Sequence, residues 1–212
     1  MRRVQLWHGD LLTGQAEVEA VSDNFTRAGI DVDVVDGTQR TRADFVNAYT
    51  ASDLDVLWVS SHAHFGHWRP DKTAVALTEA LTISLSQFAT MQPPDNGRRL
   101  LVLNTCDSAS VTALGGPSTV GVAATAAGRR QAVAGHLWPV HFRPATVFGA
   151  LLAIGLVAHD RFDDAFLFAT AHRSQPDVVD TLEEEGLNRV AEYAAYEDTR
   201  TFLDLASPIM MI

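Results

Sequence analysis

Only one cysteine, Cys106, occurs in the 212 residues, so the chain cannot form an internal disulfide. This scarcity fits a reducing compartment, and the expected location is the cytoplasm. Positive charge is also scarce: 16 Lys and Arg face 26 Asp and Glu, for a net charge of −10 and a pI near 5.1. Binding phosphates needs a basic face, so no direct nucleic-acid partner is expected. The basic pairs Arg2-Arg3, Arg98-Arg99 and Arg129-Arg130 sit before or between apolar runs and read as surface charge at strand starts. No apolar run approaches the ~20 residues that a membrane helix requires. The longest, Val147–Ala158, reads as a buried helix, and no stretch of signal-peptide length follows the opening "MRRVQLWHGD". No membrane partner is expected. Internal repeats and low-complexity tracts are lacking, and the glycines of "ALGGPSTVG" are followed by no Lys-Ser/Thr, which excludes a P-loop.

Apolar residues make up 47% of the chain, enough for one sizeable core. Apolar runs at Val4–Trp7, Ile30–Val35, Val56–Ser60, Arg99–Leu103 and Ala132–Leu137 predict strands. Helical spacing predicts helices over Gln15–Ala28, closed by Gly29, and over Thr41–Tyr49, Leu85–Met91, Pro117–Ala127, Pro144–Ala158, Phe162–Ala171 and Val178–Tyr196. A hairpin is expected near Val75–Thr82 and a final strand near Phe202–Leu205. Strands alternating with helices predict an α/β protein with a mostly parallel central sheet. The chain reads as a single domain over residues 1–212, with 174–212 as a C-terminal helical extension.

In such sheets a site lies beyond the carboxyl ends of the strands. Two chemically dense segments fall there: "SSHAHFGHW" (Ser60–Trp68) after one interior strand, and "NTCDSAS" (Asn104–Ser110) after another. Histidines at 62, 64 and 67 invite comparison with the HxHxDH zinc signature, with His136 as a further ligand. The comparison is poor, because Gly66 stands at the aspartate position and Asp160 and Asp163 read as ordinary helix-flanking residues. Cys106 reads either as a buried structural thiol or as a nucleophile in a polar turn, served by a histidine from the neighbouring strand end.

Three segments in order, "VLWVSSHAHFGHWRPDKTAVAL", "LLVLNTCDSAS" and "AVAGHLWPVHFRPATVFGALL", resemble the CHAT family of caspase-like cysteine peptidases, relatives of caspases, separases and gingipains. The resemblance runs from about Glu17 to Ala171 and implies a caspase-like three-layer α/β/α sandwich. By position it implies His62 as the catalytic base and Cys106 as the nucleophile. The backbone N–H groups of Ala63 and Cys106 would then form the oxyanion hole. Ala63 replaces the family's glycine, and an alanine held at positive φ is strained.

His64 and His67 would line or rim the site, with Asp107, Asn104 and Trp138 among the substrate contacts. Trp138 reads equally as an aromatic capping the core. The resemblance further implies a protein or peptide substrate and no cofactor, while Asp107 beside the nucleophile and the negative net charge favour Lys or Arg before the scissile bond. It also implies control by a regulatory partner or sensor domain in a bacterial defence or signalling system. The alternative is a catalytically inactive caspase-like interaction module.

Overall fold

Three runs, "VLWVS", "RLLVLN" and "QAVAGH", are buried along their whole length and take interior places in the sheet, because a strand buried on both faces has no polar side to show. The computed structural model describes residues 1–11, 14–66, 69–95, 99–113, 119–196 and 202–212. The chain order is β1 (Arg3–His8), α1 (Gly14–Arg27), β2 (Asp31–Asp36), α2 (Arg42–Thr50), β3 (Val56–Ser60), β4 (His62–His64), β5 (Ala74–Ala76), β6 (Thr82–Ser84), α3 (Leu85–Thr90) and β7 (Arg99–Asn104). It continues with β8 (Thr112–Ala113), β9 (Thr119–Val120), α4 (Val122–Ala126), β10 (Gln131–His136), α5 (Phe142–Ala158), α6 (Phe162–His172), α7 (Val178–Glu184), α8 (Asn188–Ala194), α9 (Phe202–Ala206) and β11 (Pro208–Met211).

The main sheet has the order β11-β10-β7-β3-β1-β2. Every neighbouring pair is parallel except β10 with β11. Successive side chains serve opposite faces. Val56 and Trp58 of β3, with Leu100 and Val102 of β7, pack against α1, α5, α6, α7 and α8. Leu57, Val59, Leu101 and Leu103 pack against α2, α3, α4 and the β4–β6 sheet. The result is the expected α/β sandwich of helices, sheet and helices.

Local signals explain several boundaries. Thr41 caps α2 with Asp44, and Ser84 caps α3 with Gln87, each closing a reciprocal capping box. Gly29 ends α1 at φ +76°, where Ile30 N–H reaches Phe25 O at 3.0 Å. The same device splits the expected single helix over 178–196. Gly186 adopts φ +74°, and Leu187 N–H bonds to Leu182 O at 2.8 Å.

Other expectations are corrected. The region near Phe202–Leu205 is helix α9, and the final strand starts after it at Pro208, on a sheet edge where a missing N–H is tolerated. Beyond residue 174 the chain therefore gives the sheet an edge strand as well as helices. Small residues within Pro117–Ala127 form the short strand β9 before α4, while residues 114–118 lie outside the described residues. Arg98 lies outside them too. Arg99 is buried rather than exposed, because its strand starts beneath α2. Its Nε donates to Gln131 Oε1 at 2.7 Å, a second N–H donates to Tyr49 O, and the guanidinium lies 4.9 Å from the Tyr49 ring centroid.

Candidate functional site

The carboxyl ends of β1, β3, β7 and β10 open onto one cavity of about 460 Å³. Its polar lining comes from Asp10 after β1, Glu17 on α1, Ser61 and His62 after β3, Asn104, Thr105 and Cys106 at the end of β7, and His141 just before α5. Leu11, Val140, Phe142 and Ala145 give it an apolar wall. The only cysteine and the first histidine of the histidine segment therefore share one cavity, although 44 positions separate them in the chain.

The cysteine turn is fixed from below. Ser108 Oγ shares its single O–H between Leu103 O and Thr105 O, both at 2.9 Å, and accepts the His136 N–H at 3.0 Å. Ala109 N–H reaches His136 O at 2.9 Å, so the turn is pinned to β10. Asp107 follows Cys106 at φ +52°, the only non-glycine described residue at positive φ. Aspartate tolerates that conformation better than a branched residue would. Its N–H reaches Trp138 O at 3.4 Å, and its side chain accepts from Ser110 Oγ at 3.2 Å. Gly135 lets Ser108 approach, since a Cβ there would stand 2.6 Å from Ser108 Oγ.

Cys106 is half-buried, and its S–H donates to Val140 O at 3.5 Å. His62 is exposed, and its Nε2 lies 3.9 Å from Asp10 Oδ1. In this conformation each side chain contacts another partner, while both line the same cavity. Catalytic contacts in ligand-free sites commonly tighten only around substrate. Among the described residues no acceptor takes the Cys106 N–H. Ala63 is half-buried in β4, opposite Val75, in extended backbone. Its φ is not positive, so the strain expected from replacing glycine does not arise.

Asn104 is buried beneath the turn. Its Nδ2 donates to Glu17 Oε1 at 2.8 Å and to Ala145 O at 2.9 Å, and its Oδ1 faces His136 Nε2 at 2.7 Å. His136 is wholly buried, and burial with the nearby Arg173 charge pushes its pKa down to about 3. The ring is neutral with Nε2 protonated, and Nδ1 faces Ser207 Oγ at 3.2 Å. That position serves the interior and not a metal shared with His62 and His64. Exposed His64 on β4, half-buried Asp107 and half-buried Trp138 lie outside the cavity lining. His67 lies outside the described residues. Among the described residues no three His, Cys, Asp or Glu side chains converge on a point that could hold a metal ion.

Three titratable lining residues escaped the sequence reading: Asp10, Glu17 and His141, the last at the N-terminal end of α5. Asp10 follows β1 directly, and the strand-end rule applied to that strand would have found it. Glu17 lies four residues before Val21 and eight before Phe25, on the face of α1 that carries the core. A carboxylate on an apolar helical face was the available signal.

A family model described as CHAT domain matches residues 3–173. Among solved structures, the crystal structure of the Arg specific cysteine proteinase gingipain R is similar, with a TM-score of 0.56 and 8% identity over 89% of this chain and 44% of that one. The chain thus spans less than half the length of that protein, and at this identity the likeness is one of fold. No curated protein matches the chain.

Proposed function

The chain belongs to the CHAT domain family, and we propose that it is a cysteine endopeptidase working through Cys106 and His62. The observation that carries this reading is the single cavity at the strand ends, lined by both residues. His62 takes the thiol proton as Cys106 Sγ attacks the peptide carbonyl carbon, and the carbonyl π bond opens to an oxyanion. The N–H groups of Cys106 and Ala63 are the donors for that oxygen. Collapse of the adduct breaks the C–N bond, and His62 returns the proton to the leaving amine. Water, deprotonated by the same imidazole, then hydrolyses the thioester and restores the thiol. Each proton taken is given back, and no cofactor enters the balance.

The substrate is a protein or peptide, and Asp107, Trp138 and His64 are available to its flanking residues around the cavity. Control falls to a regulatory partner or sensor domain, within a bacterial defence or signalling system in the cytoplasm. A second reading, an inactive interaction module, draws on the contacts Cys106–Val140 and His62–Asp10, which give each side chain a partner other than its proposed dyad mate.

Alkylation separates the two. In a peptidase, iodoacetamide near neutral pH modifies Cys106 faster than it modifies a simple peptide thiol, and His62→Ala slows the reaction. Labelling at the rate of a buried thiol, unchanged by His62→Ala, would favour the interaction module.

Asp10 holds His62 as a positioning residue rather than a reacting one. Both side chains are 54% exposed, so the pair is screened. Asp10→Asn is expected to lower kcat/KM by no more than about fivefold, the range of exposed charge pairs. The deficit should shrink in molar salt, where the parent loses the same attraction. A deficit independent of salt would assign Asp10 another role.

A further inference from the structure

Glu17 and Thr105 face the same cavity as Cys106 and His62, yet bond cleavage uses neither. Glu17 is 2% exposed. Its Oε1 accepts from Trp58 Nε1 at 2.9 Å and Asn104 Nδ2 at 2.8 Å, and its Oε2 accepts from Ser60 Oγ at 2.7 Å. These donors and the first turn of α1 favour the charged form. Burial opposes them and raises the pKa to about 7, so the carboxylate is mostly ionised on the alkaline side of neutrality. Among the described residues no cation pairs with it. Thr105, 1% exposed, leaves its Oγ1 without a hydrogen-bond partner among the described residues. A buried anion without a counter-ion and a buried hydroxyl without a partner thus line one cavity whose remaining wall is mostly apolar.

We propose, building on the peptidase reading, that this cavity receives a lysine side chain on the acyl side of the scissile bond, its ammonium group held by Glu17 and Thr105. The four methylenes of lysine suit a wall of Leu11, Val140, Phe142 and Ala145, and the charged tip suits the polar floor. Lysine is preferred to arginine because of lone-pair arithmetic. A carboxylate offers about four acceptor positions. Oε1 already accepts two bonds and Oε2 one, so a two-pronged guanidinium finds no matching pair of free positions. An ammonium group needs one position on Oε2 and can turn a second N–H toward Thr105 Oγ1.

The test reads binding without turnover. In Cys106→Ala protein near pH 8, millimolar Nα-acetyl-lysine amide is expected to raise the melting temperature. Nα-acetyl-norleucine amide, which keeps the stem and lacks the ammonium, should not, and the arginine analogue should do less than lysine. Adding Glu17→Gln should abolish the lysine effect, while the parent's preference for lysine over norleucine stands even if that variant folds poorly. Equal or larger shifts with norleucine would overturn the proposal, and a larger shift with arginine would overturn the assignment to lysine. Hydrolysis is scored separately: peptides with lysine before the cut should exceed norleucine peptides by at least about tenfold in kcat/KM. Absence of hydrolysis with selective lysine binding would count against the peptidase and leave the pocket assignment standing.

Discussion

On the proposed peptidase reading, Cys106→Ala is expected to remove peptide hydrolysis, with a fall in kcat of at least about 10⁴-fold, the scale at which a nucleophile and its base act as one unit. His62→Ala gives a similar loss, and the double variant loses little more, because the two groups contribute to the same transition state. What survives reflects the N–H donors and substrate binding. The fold should be nearly unaffected. Cys106 is half-buried, and its thiol makes one long contact with Val140 O. A cost of about 1 kcal/mol corresponds to a melting shift of about 2–4 °C for a domain of this size. The measurement maps cleavage sites by mass spectrometry for parent and variants, with peptide libraries and candidate activating partners. Cuts that persist unchanged in Cys106→Ala would remove the thiol from the mechanism.

Glu17→Gln should tilt the pH dependence of stability, because it exposes a slope that the parent hides. In the folded chain Glu17 has its pKa raised from 4.5 to about 7, so between those values the folded state holds the extra proton and stability falls as pH rises. His136 has its pKa lowered from 6.5 to about 3, so the unfolded state holds the extra proton and stability rises with pH over that interval. The two slopes oppose each other from pH 4.5 to 6.5 and nearly cancel. Without the carboxyl group, only the histidine term remains of this pair. Relative to the parent, Glu17→Gln should gain about 3 kcal/mol of stability between pH 4.5 and 6.5, from about 1.4 kcal/mol per pH unit. His136→Gln should show the opposite tilt. Urea unfolding midpoints across this range decide the matter, and parallel profiles for parent and Glu17→Gln would contradict the assignment. The amide is a fair isostere, since its oxygen can accept from Trp58 and Asn104 while its NH₂ donates to Ser60.

The interior strands were legible because they had little choice. "VLWVS" and "RLLVLN" contain too little polarity for any position but the middle of the sheet, and both are buried throughout. The placement of Cys106 and His62 beyond those strands followed from topology alone. What stayed hidden depended on distant partners. β4 is three residues long and exists because Ala74–Ala76 returns to pair with it. That pairing keeps Ala63 extended, and a reading based on a loop glycine assumed a different backbone. Arg99 looked like surface charge until Gln131 and Tyr49 arrived from 32 and 50 positions away. Glu17 meets Asn104 across 87 positions, so neither residue announces the other. Asn104, expected to contact substrate, lines the cavity, and its bonds to Glu17 and His136 were not legible in the sequence.

The strand order has a consequence for assembly. The margins of a sheet are templates on which another chain can add a strand. Here one margin is β11, only four residues long and headed by Pro208, which offers no N–H. The other is β2, where Asp31, Asp33 and Asp36 accompany the apolar residues. A second copy brought alongside β2 would set carboxylates against carboxylates, and one brought to β11 would find a short, incomplete ladder. Both margins therefore deter main-chain pairing between copies of this chain.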